Sequence, residues 1–296
     1  MYTIFQNAPK YSGNRKTLNR LSKLLNLEKT KYLLDNIIAI NAYKFGLVRK
    51  QQDINYIIIV SGTDINFEKN KDPEKYKIVL NTLQNAKYIV VFSPYMYDII
   101  DKNYNLNMSK VHIIPQSIPK KLKSSNYNLR ERLPIKNKKI FLSVGNLRNV
   151  KRPDYLFDFF KKSKKYVYII IGNILEGTYD FPNNVYHIGG LRQRDIYACI
   201  KSADALINTS ISEGMSVSIL EAMKLKCPVY AYRNKGNLSI VKDGFTGYIF
   251  DDLRSFKFII KLPTKKIINN AYDYVYVKHS TKMECYNYLK LLDHVI

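Results

Sequence analysis

Short apolar runs alternate with amphipathic stretches along the chain, and this alternation constrains the fold more than any other feature. Runs at 37–40, 56–60, 88–92 and 111–114 are rich in Ile, Val and Tyr, as buried strands are. The stretches 15–27, 73–83 and 94–101 between them carry helical spacing, and two of them open with a proline. Strands separated by helices predict parallel α/β layers.

The same pattern restarts after a polar, basic segment at 120–138, which we interpret as a linker. Strands are expected at 140–144, 166–171, 185–188, 205–208 and 228–232, and helices at 153–162, 192–200 and 216–225. We therefore expect an N-terminal Rossmann-like domain over 1–134 and a C-terminal one over 135–278. A final helix, within 279–296, is free to pack back on the N-terminal domain. Such units bind ligands beyond the carboxyl ends of their strands.

The net charge of +24 has two explanations that the sequence leaves open. One is an anionic partner: a sugar nucleotide, an anionic membrane surface or nucleic acid. The other is codon bias of an AT-rich viral or microbial genome, which fits a chain with 25 Tyr and no Trp. The sequence has no long Lys/Arg-only run and no RNA-binding signature, so specific nucleic-acid recognition is not expected.

Cysteine usage and hydropathy indicate the compartment. The three cysteines are scattered without disulfide or metal spacing, which favours a reducing environment. No apolar run approaches the ~18 residues of a membrane span, and the first residues lack the apolar core of a signal peptide. We expect a cytoplasmic protein, with peripheral contact at an anionic membrane left open.

Two glutamates separated by seven residues form the most informative motif. Glu213 follows a predicted strand, and Gly214 lets the backbone approach a ligand closely. Ser216 is placed as the N-cap of the next helix, whose first amides, near Met215, form an anion site. Glu221, further along that helix, is able to accept hydrogen bonds from two hydroxyls. The alternative is an ordinary capped helix with two solvated glutamates.

A second cluster lies between a strand-ending glycine and the next helix. Gly145 is followed by Asn146 and by three cations, Arg148, Lys151 and Arg152. Such a loop can hold a diphosphate leaving group. The alternative is three exposed cations in a very basic protein. The sequence has no Asp-x-Asp, and its four histidines show no ligand spacing, so no metal site is expected.

Together these residues resemble the family 4, group 1 retaining glycosyltransferases of the GT-B fold. The resemblance is specific over about 139–252. The family's Glu-x7-Glu signature, followed by Glu-Ala-Met and a proline-valine strand, matches at 213–229. Its downstream glycines match at 236, 244 and 247, and its phosphate loop at 143–151. The segment 110–117 matches the interdomain segment, and the match is weaker at 88–93 and 61–64.

The resemblance implies two Rossmann-like domains facing a central cleft, with a reduced N-terminal domain. It implies metal-independent transfer, with retention, of a sugar from a UDP- or GDP-sugar to an unknown hydroxyl acceptor on a carbohydrate, a protein or a lipid-linked molecule. No other cofactor is implied. The leaving phosphate would assist deprotonation of the acceptor.

The resemblance also assigns residues to roles. Glu221 would bind the donor ribose and Glu213 the transferring sugar. Catalytic roles would fall to Glu213, Lys151 and Arg148, and further donor contacts to Gly214, Met215, Ser216, Gly145, Asn146 and Arg152. On the acceptor side the candidates are Gly13, Asn41 and Asp64.

Three departures from the family pattern concern these assignments. Asn146 replaces an arginine, for which Arg148 or Arg152 is the candidate substitute. The family's N-terminal histidine is absent and Asn41 takes its place, while the glycine-rich loop is reduced to a short segment around Gly13. Rival interpretations are a nucleotide-sugar-binding protein without turnover, and an isomerase or phosphorylase on the same fold. A basic nucleic-acid-binding protein would explain the charge but not the glutamate pair.

Overall fold

The computed structural model describes residues 2–5, 8, 12–50, 52–66, 72–262 and 264–293. Within these residues the strands form two sheets of six, and every strand pair is parallel. Each sheet lies in its own compact unit. The first unit comprises Met1–Ser117 with Thr281–Ile296, and the second comprises Ile118–Ser280. The predicted α/β class is confirmed.

The sheet of the first unit has the strand order β2-β1-β3-β4-β5-β6. Its strands are β1 (Thr3–Phe5), β2 (Lys29–Thr30), β3 (Ile37–Ile40), β4 (Tyr56–Ile59), β5 (Tyr88–Val91) and β6 (Val111–Ile113). Its first four helices are α1 (Gly13–Leu24), α2 (Ala42–Arg49), α3 (Pro73–Gln84) and α4 (Pro94–Asn103), and a 3-10 turn covers Met108–Lys110. Strands β3 and β4 are buried at every position, as strands covered on both faces are.

Helix starts in this unit follow from capping residues. The Asp72 carboxylate accepts a hydrogen bond from the Lys75 amide, and Pro73 takes the first helical position of α3. Ser93 and Pro94 play the same parts in α4. Helix α1 begins two positions before the predicted start at 15, because the Ser12 hydroxyl accepts from the Arg15 amide.

The sheet of the second unit has the order β12-β11-β10-β7-β8-β9. Its strands are β7 (Lys139–Val144), β8 (Tyr166–Ile171), β9 (Val185–Ile188), β10 (Ala205–Asn208), β11 (Val229–Tyr232) and β12 (Tyr248–Phe250). Its helices are α5 (Leu129–Arg132), α6 (Phe157–Lys161), α7 (Gln193–Ser202), α8 (Val217–Lys224), α9 (Lys235–Leu238), α10 (Leu253–Ile259) and α11 (Lys265–Lys278). The last helix of the chain, α12 (Thr281–Asp293), belongs to the first unit.

The helix expected over 153–162 forms in two pieces. A 3-10 turn at Asn149–Lys151 is followed by another at Pro153–Leu156, and regular helix begins only with α6. Arg152 lies between the two turns with a φ of 41°, a left-handed conformation that a continuous helix does not contain. Arg152 therefore interrupts the helical path immediately after Lys151.

An aromatic cluster fills one side of the second sheet. Phe160 stacks on Tyr168 with ring centroids 4.9 Å apart, and Phe250 meets Phe256 edge-on at 5.1 Å. Phe141 contacts both Phe160 and Phe256. Because these rings bury large apolar areas in specific geometries, they fix β7, β8 and β12 against α6 and α10. The loops at the strand ends are thereby held on a rigid base.

The two units divide earlier in the chain than the expected boundary at 134/135. Within the expected linker, the Ser125 amide donates to the Arg194 carbonyl at 3.0 Å, and its hydroxyl donates to Asp195 at 2.6 Å. Leu129 is fully buried. Residues from Ile118 onward therefore belong to the second unit, because this polar segment packs against α7.

Helix α12 is tied to the first unit by a buried ion pair. The Arg20 guanidinium donates to both carboxylate oxygens of Glu284, at 3.0 and 2.8 Å. The Ser117 hydroxyl donates to the same carboxylate at 2.5 Å. Tyr288 and Leu291 of α12 are buried. The segment 281–293 thus packs with residues from the start of the chain.

Candidate functional site

The loops after β7 and β10 emerge side by side, because these two strands pair in parallel. Gly145 ends β7 with a φ of 150°, and Gly172 ends β8 with the same value. A Cβ on Gly172 would overlap the Gly145 carbonyl. A glycine is therefore required at 172 for the loops after β7 and β8 to lie this close.

Lys151 and Glu213 form an ion pair across these two loops. The Lys151 ammonium donates to Glu213 Oε1, and the two side chains are 26% and 11% exposed. The same oxygen accepts hydrogen bonds from Asn208 Nδ2 at 3.1 Å and from the Ser210 hydroxyl at 2.8 Å. Burial alone would raise the pKa of Glu213, but the charge of Lys151 and these hydrogen bonds lower it below its ordinary value.

Helix α9 packs directly against the Glu213 loop. A Cβ on Gly236 would overlap the carbonyl of Glu213, so only glycine permits this approach. The side chain of Asn237 donates to Asn208 Oδ1 at 3.2 Å. Asn208 in turn donates to Glu213, so these polar residues form one network under the loop.

Gly214, Met215 and Ser216 are buried between Glu213 and α8. Ser216 occupies the N-cap position, as expected, but its hydroxyl makes no capping hydrogen bond. The hydroxyl instead accepts from Asn208 Nδ2 at 3.2 Å and pairs with the Ser218 hydroxyl at 3.1 Å. The N-cap position of Ser216 is thus as expected, while its side chain is engaged by Asn208 and not by the first turn of α8.

Glu221 lies on α8 and is only 5% exposed. Its Oε1 accepts hydrogen bonds from Gln193 Nε2 at 2.8 Å and from the Tyr197 hydroxyl at 3.3 Å. Both glutamates of the motif are thus largely buried and hydrogen-bonded. The alternative of two solvated glutamates on an ordinary helix is excluded by these contacts.

A small pocket joins the two loops. Its lining includes Ser143, Gly145, Asn146, Lys151, Asn208 and Ser210. Asn146 Oδ1 accepts from the Asn173 amide at 3.1 Å, so this side chain connects the ends of β7 and β8. The predicted residues in its lining, Gly145, Asn146 and Lys151, all belong to the cationic loop, and the glutamate motif adjoins the pocket through the contact of Glu213 with Lys151.

Two of the predicted cations do not line this pocket. The Arg152 guanidinium lies between the rings of Tyr155 and Tyr232, 4.3 and 4.0 Å from their centroids, and its Nε donates to the Thr209 carbonyl. The structure thus places the Arg152 guanidinium between two tyrosine rings and outside the lining of this pocket. Among the described residues, no hydrogen bond or ion pair holds the Arg148 side chain toward the pocket.

In the first unit, Asn41 and Asp64 come together beside the start of α2. The buried Asp64 carboxylate accepts hydrogen bonds from the amides of Ala42 and Ser61, at 2.7 and 3.0 Å. Burial raises the pKa of Asp64, although these bonds act to lower it. Asn41 has a φ of 72°, caps α2 through Oδ1 and donates to the Ser61 hydroxyl at 2.8 Å. Gly13, exposed at the start of α1, makes none of these contacts.

Sequence reasoning missed four polar residues of the second unit. Gln193 and Tyr197 contact Glu221, and Asn208 and Asn237 hold Glu213 and its loop. Asn208 could have been noticed in the sequence, because it is a polar residue at the end of an otherwise apolar strand. The other three lie on helices whose sequence pattern does not indicate which residues they contact.

Comparison with known proteins places the chain in a family. Residues 126–259 match the model of the glycosyl transferases group 1. The Xenopus tropicalis protein named glycosyltransferase 1 domain-containing protein 1 is 33% identical over 279 residues, 86% of this chain and 81% of that protein. The Escherichia coli UDP-Gal:alpha-D-GlcNAc-diphosphoundecaprenol alpha-1,3-galactosyltransferase is 27% identical over 198 residues, 58% of this chain and 50% of that protein.

Solved structures show the same fold at low identity. HepE of Anabaena, in complex with UDP-glucose, matches with a TM-score of 0.83 and 15% identity over 99% of both chains. Sucrose-phosphate synthase from Thermosynechococcus elongatus matches with a TM-score of 0.74 and 17% identity, over 98% of this chain and 82% of that one. With the family match and the two parallel sheets, these findings show that the chain belongs to the group 1 glycosyl transferases and has the GT-B fold.

Proposed function

We propose that this glycosyltransferase moves a hexose from a nucleotide diphosphate sugar to a hydroxyl acceptor, with retention of configuration and without a metal ion. The observation that carries the proposal is the contact between Lys151 and Glu213 beside the pocket at the strand ends, with Glu221 buried on the next helix. The contact pairs a cation suited to a diphosphate with a carboxylate suited to sugar hydroxyls.

UDP-sugars are the first donors to test. The HepE structure contains UDP-glucose, and the name of the Escherichia coli relative specifies UDP-galactose. We propose a UDP-sugar donor on this basis, with a GDP-sugar as the alternative. The same relative acts on a diphosphoundecaprenol-linked sugar, which makes lipid-linked saccharides a reasonable first class of acceptor.

The proposed donor contacts use the residues around the pocket. Glu221 binds the ribose diol, and the amides of Gly214, Met215 and Ser216 face the diphosphate together with Lys151. Glu213 contacts the transferring sugar. Gly145 and Asn146 complete the donor side, since they line the pocket with Lys151.

The proposed reaction breaks the bond between the anomeric carbon and the diphosphate oxygen, and the electron pair leaves with the diphosphate. The acceptor oxygen bonds to the same face of an oxocarbenium-like sugar, and its proton passes to the leaving phosphate. Lys151 stabilises the negative charge that grows on the leaving group, which favours the transition state over the bound donor.

Transfer without a metal ion requires protein groups that stabilise the negative charge of the diphosphate. In the described part of the chain, no cluster of three or more His, Cys, Asp or Glu side chains has the geometry to hold a metal ion. Lys151 and the first amides of α8 would carry that charge instead. Transfer rates with and without EDTA should agree, and loss of transfer on chelation would contradict this part of the proposal.

The first experiment is a thermal-shift screen of UDP, GDP and their sugars. A ligand at 100 times its Kd stabilises the folded state by about 2.7 kcal/mol, which gives a clear shift. The sugar that binds is then offered with simple glycoside acceptors, and NMR determines the anomeric configuration of the product. An axial donor giving an axial product supports retention. An equatorial product would refute retention, and no shift with any nucleotide would refute the function.

A second candidate function is donor binding without turnover, and one observation favours it. The side chain at 41 is an amide whose oxygen caps α2 and whose nitrogen is bonded to Ser61. An amide does not exchange protons at neutral pH as an imidazole does, so Asn41 cannot supply acid–base chemistry. Binding of a UDP-sugar with neither transfer nor hydrolysis would support this candidate.

A further inference from the structure

We propose that Gln193 and Tyr197 are positioning residues that set the affinity for the nucleotide by fixing the carboxylate of Glu221. The inference rests on the proposed function, in which Glu221 binds the ribose. It adds two residues of α7 to a site otherwise built from the loops after β7 and β10 and from α8. Neither residue belongs to the glutamate motif or to the cationic loop.

Gln193 and Tyr197 lie four positions apart on α7, so their side chains share one face of that helix. That face meets α8 at Glu221. Gln193 Nε2 donates to Glu221 Oε1 at 2.8 Å, and the Tyr197 hydroxyl donates to the same oxygen at 3.3 Å. Two donors on one oxygen restrict rotation of the carboxylate about its last torsion, which is otherwise broad.

The chemistry of the carboxylate dictates which groups face it. An ionised carboxylate accepts hydrogen bonds and donates none, so the Gln193 amide must present its NH₂ group. Burial, followed by the negative charge of Glu221, raises the pKa of the Tyr197 hydroxyl. Tyr197 therefore keeps its proton and remains a donor at neutral pH.

The orientation of the Gln193 amide lowers the stability of the fold, so stability alone does not account for it. With Nε2 turned to Glu221, Gln193 Oε1 is buried and has no hydrogen-bond partner among the described residues. An unpaired buried carbonyl destabilises the folded state. A side chain that served only to join α7 to α8 would do so better as a hydrocarbon. We infer that the contact with Glu221 offsets this loss of stability by increasing the affinity for the ligand.

The mechanism is preorganisation. A carboxylate that already faces the ribose loses less conformational freedom when the diol binds, so the nucleotide binds more tightly. Without its two donors, Glu221 must be ordered during binding. The effect should appear in nucleotide affinity and in KM for the donor, with kcat changed much less, because the ribose is bound in both the ground state and the transition state.

The test uses Gln193→Leu and Tyr197→Phe, with matched controls at exposed positions, Gln84→Leu and Tyr286→Phe. Calorimetry with UDP, and with GDP in parallel, gives the affinity, and thermal melts give the stability. We expect UDP to bind Gln193→Leu about 10-fold more weakly, the loss of one hydrogen bond to a charged group. Its Tm should change little, because the lost donor to buried Glu221 and the removed unpaired carbonyl have opposite effects on stability. Tyr197→Phe should show a smaller loss, and both controls should bind as wild type.

A double-mutant cycle separates positioning from direct contact. In a Glu221→Ala background, Gln193→Leu should weaken UDP binding no further. Wild-type affinity in Gln193→Leu, or a full loss that persists without Glu221, would overturn this inference alone. A lower Tm with unchanged affinity would assign both residues a structural role and overturn it as well. If wild-type protein binds neither UDP nor GDP, the proposed function fails, and this inference fails with it.

Discussion

Lys151 Nζ contacts Glu213 Oε1, so two of the charged groups to which the family resemblance gives catalytic roles neutralise one another in this structure. A diphosphate bound at the pocket would compete with Glu213 for the same ammonium. Its two phosphates carry more negative charge than one carboxylate, so Lys151 would turn toward them and release Glu213 to the sugar. Under the proposed function, the pair would therefore connect donor binding with the positioning of the sugar.

Lys151→Ala should lower kcat by about 10²-fold or more, the magnitude known for loss of one charge-stabilising donor, with a smaller change in KM. Negative charge grows on the leaving diphosphate, so loss of the cation destabilises the transition state more than the bound donor. Steady-state kinetics with the donor identified by thermal shift measures both constants. Lys161→Ala, at an exposed lysine of α6, is the control and should leave them unchanged.

Arg148→Ala tests whether this arginine substitutes for the one that Asn146 replaces. If it does, the variant should show a milder version of the Lys151 defect. Because Arg148 does not line the pocket, we expect a change in kcat of less than about 3-fold, below the cost of a catalytic electrostatic donor. A large loss in kcat would show that Arg148 reaches the diphosphate when the donor binds.

The stability that Glu213 contributes should depend on pH in a defined direction. Its pKa is lower in the folded protein than in the unfolded chain, because Lys151 and its hydrogen bonds outweigh burial. Its contribution is therefore fully present above the unfolded pKa and is lost as the pH falls through the folded pKa. Glu213→Gln should destabilise by about 1–3 kcal/mol at pH 7. Denaturant melts at pH 7 and pH 4 should show a smaller difference from wild type at the lower pH. A difference that grows in acid would contradict the assigned pKa direction.

The fold was predictable because its strands are buried on both faces. Runs such as Ile37–Ile40 and Tyr166–Ile171 were located to the residue, since parallel strands under helices are continuously apolar. Helix α2 was missed, because it follows a left-handed Asn41 and carries little amphipathic pattern. The unit boundary was misplaced, because a polar segment packs through Ser125 and Leu129.

The sequence allowed candidate site residues to be chosen, but it did not indicate which of them contact one another in the fold. Glu213, Glu221 and Lys151 were chosen from local spacing, and the structure joins Lys151 to Glu213 across paired strands. Asn237 and Gln193 were not chosen, because each acts through a residue distant in sequence. Arg152 was chosen for its charge, whereas its left-handed backbone turns it between two tyrosine rings.

Glu221→Ala should weaken UDP binding by roughly 1.5–3 kcal/mol, the cost of losing charge-assisted hydrogen bonds. Far-UV circular dichroism should show an intact fold. Glu213→Ala should instead reduce turnover and sugar selectivity more than affinity for free UDP, because Glu213 is assigned to the sugar. Calorimetry on both variants distinguishes the roles, and unchanged UDP affinity in Glu221→Ala would remove the ribose assignment.

The strong positive charge predicts binding to anionic lipid, with codon bias as the competing cause. Within the described residues, no helix has both the length and the apolar character that a membrane span requires. The chain carries 48 Lys and Arg against 24 acidic residues, and a basic residue near an anionic surface contributes about 1 kcal/mol. The protein should sediment with vesicles containing phosphatidylserine and not with neutral ones, and salt should release it. Equal sedimentation with both vesicle types would favour codon bias.

Gly236→Ala should damage the site from a position that bears no functional group. The added Cβ would meet the carbonyl and Cβ of Glu213, so either α9 or the Glu213 loop must move. Overpacking of this kind costs about 1–3 kcal/mol, and a shift of Glu213 should also lower kcat. Gly13→Ala is the stability control, because its added Cβ would meet no described atom within 4 Å at the start of α1, where alanine favours helix. We expect Gly13→Ala to match or exceed wild type in Tm and Gly236→Ala to fall below it. If Gly236→Ala keeps both its Tm and its kcat, the loop is more plastic than the close packing of Gly236 on Glu213 indicates.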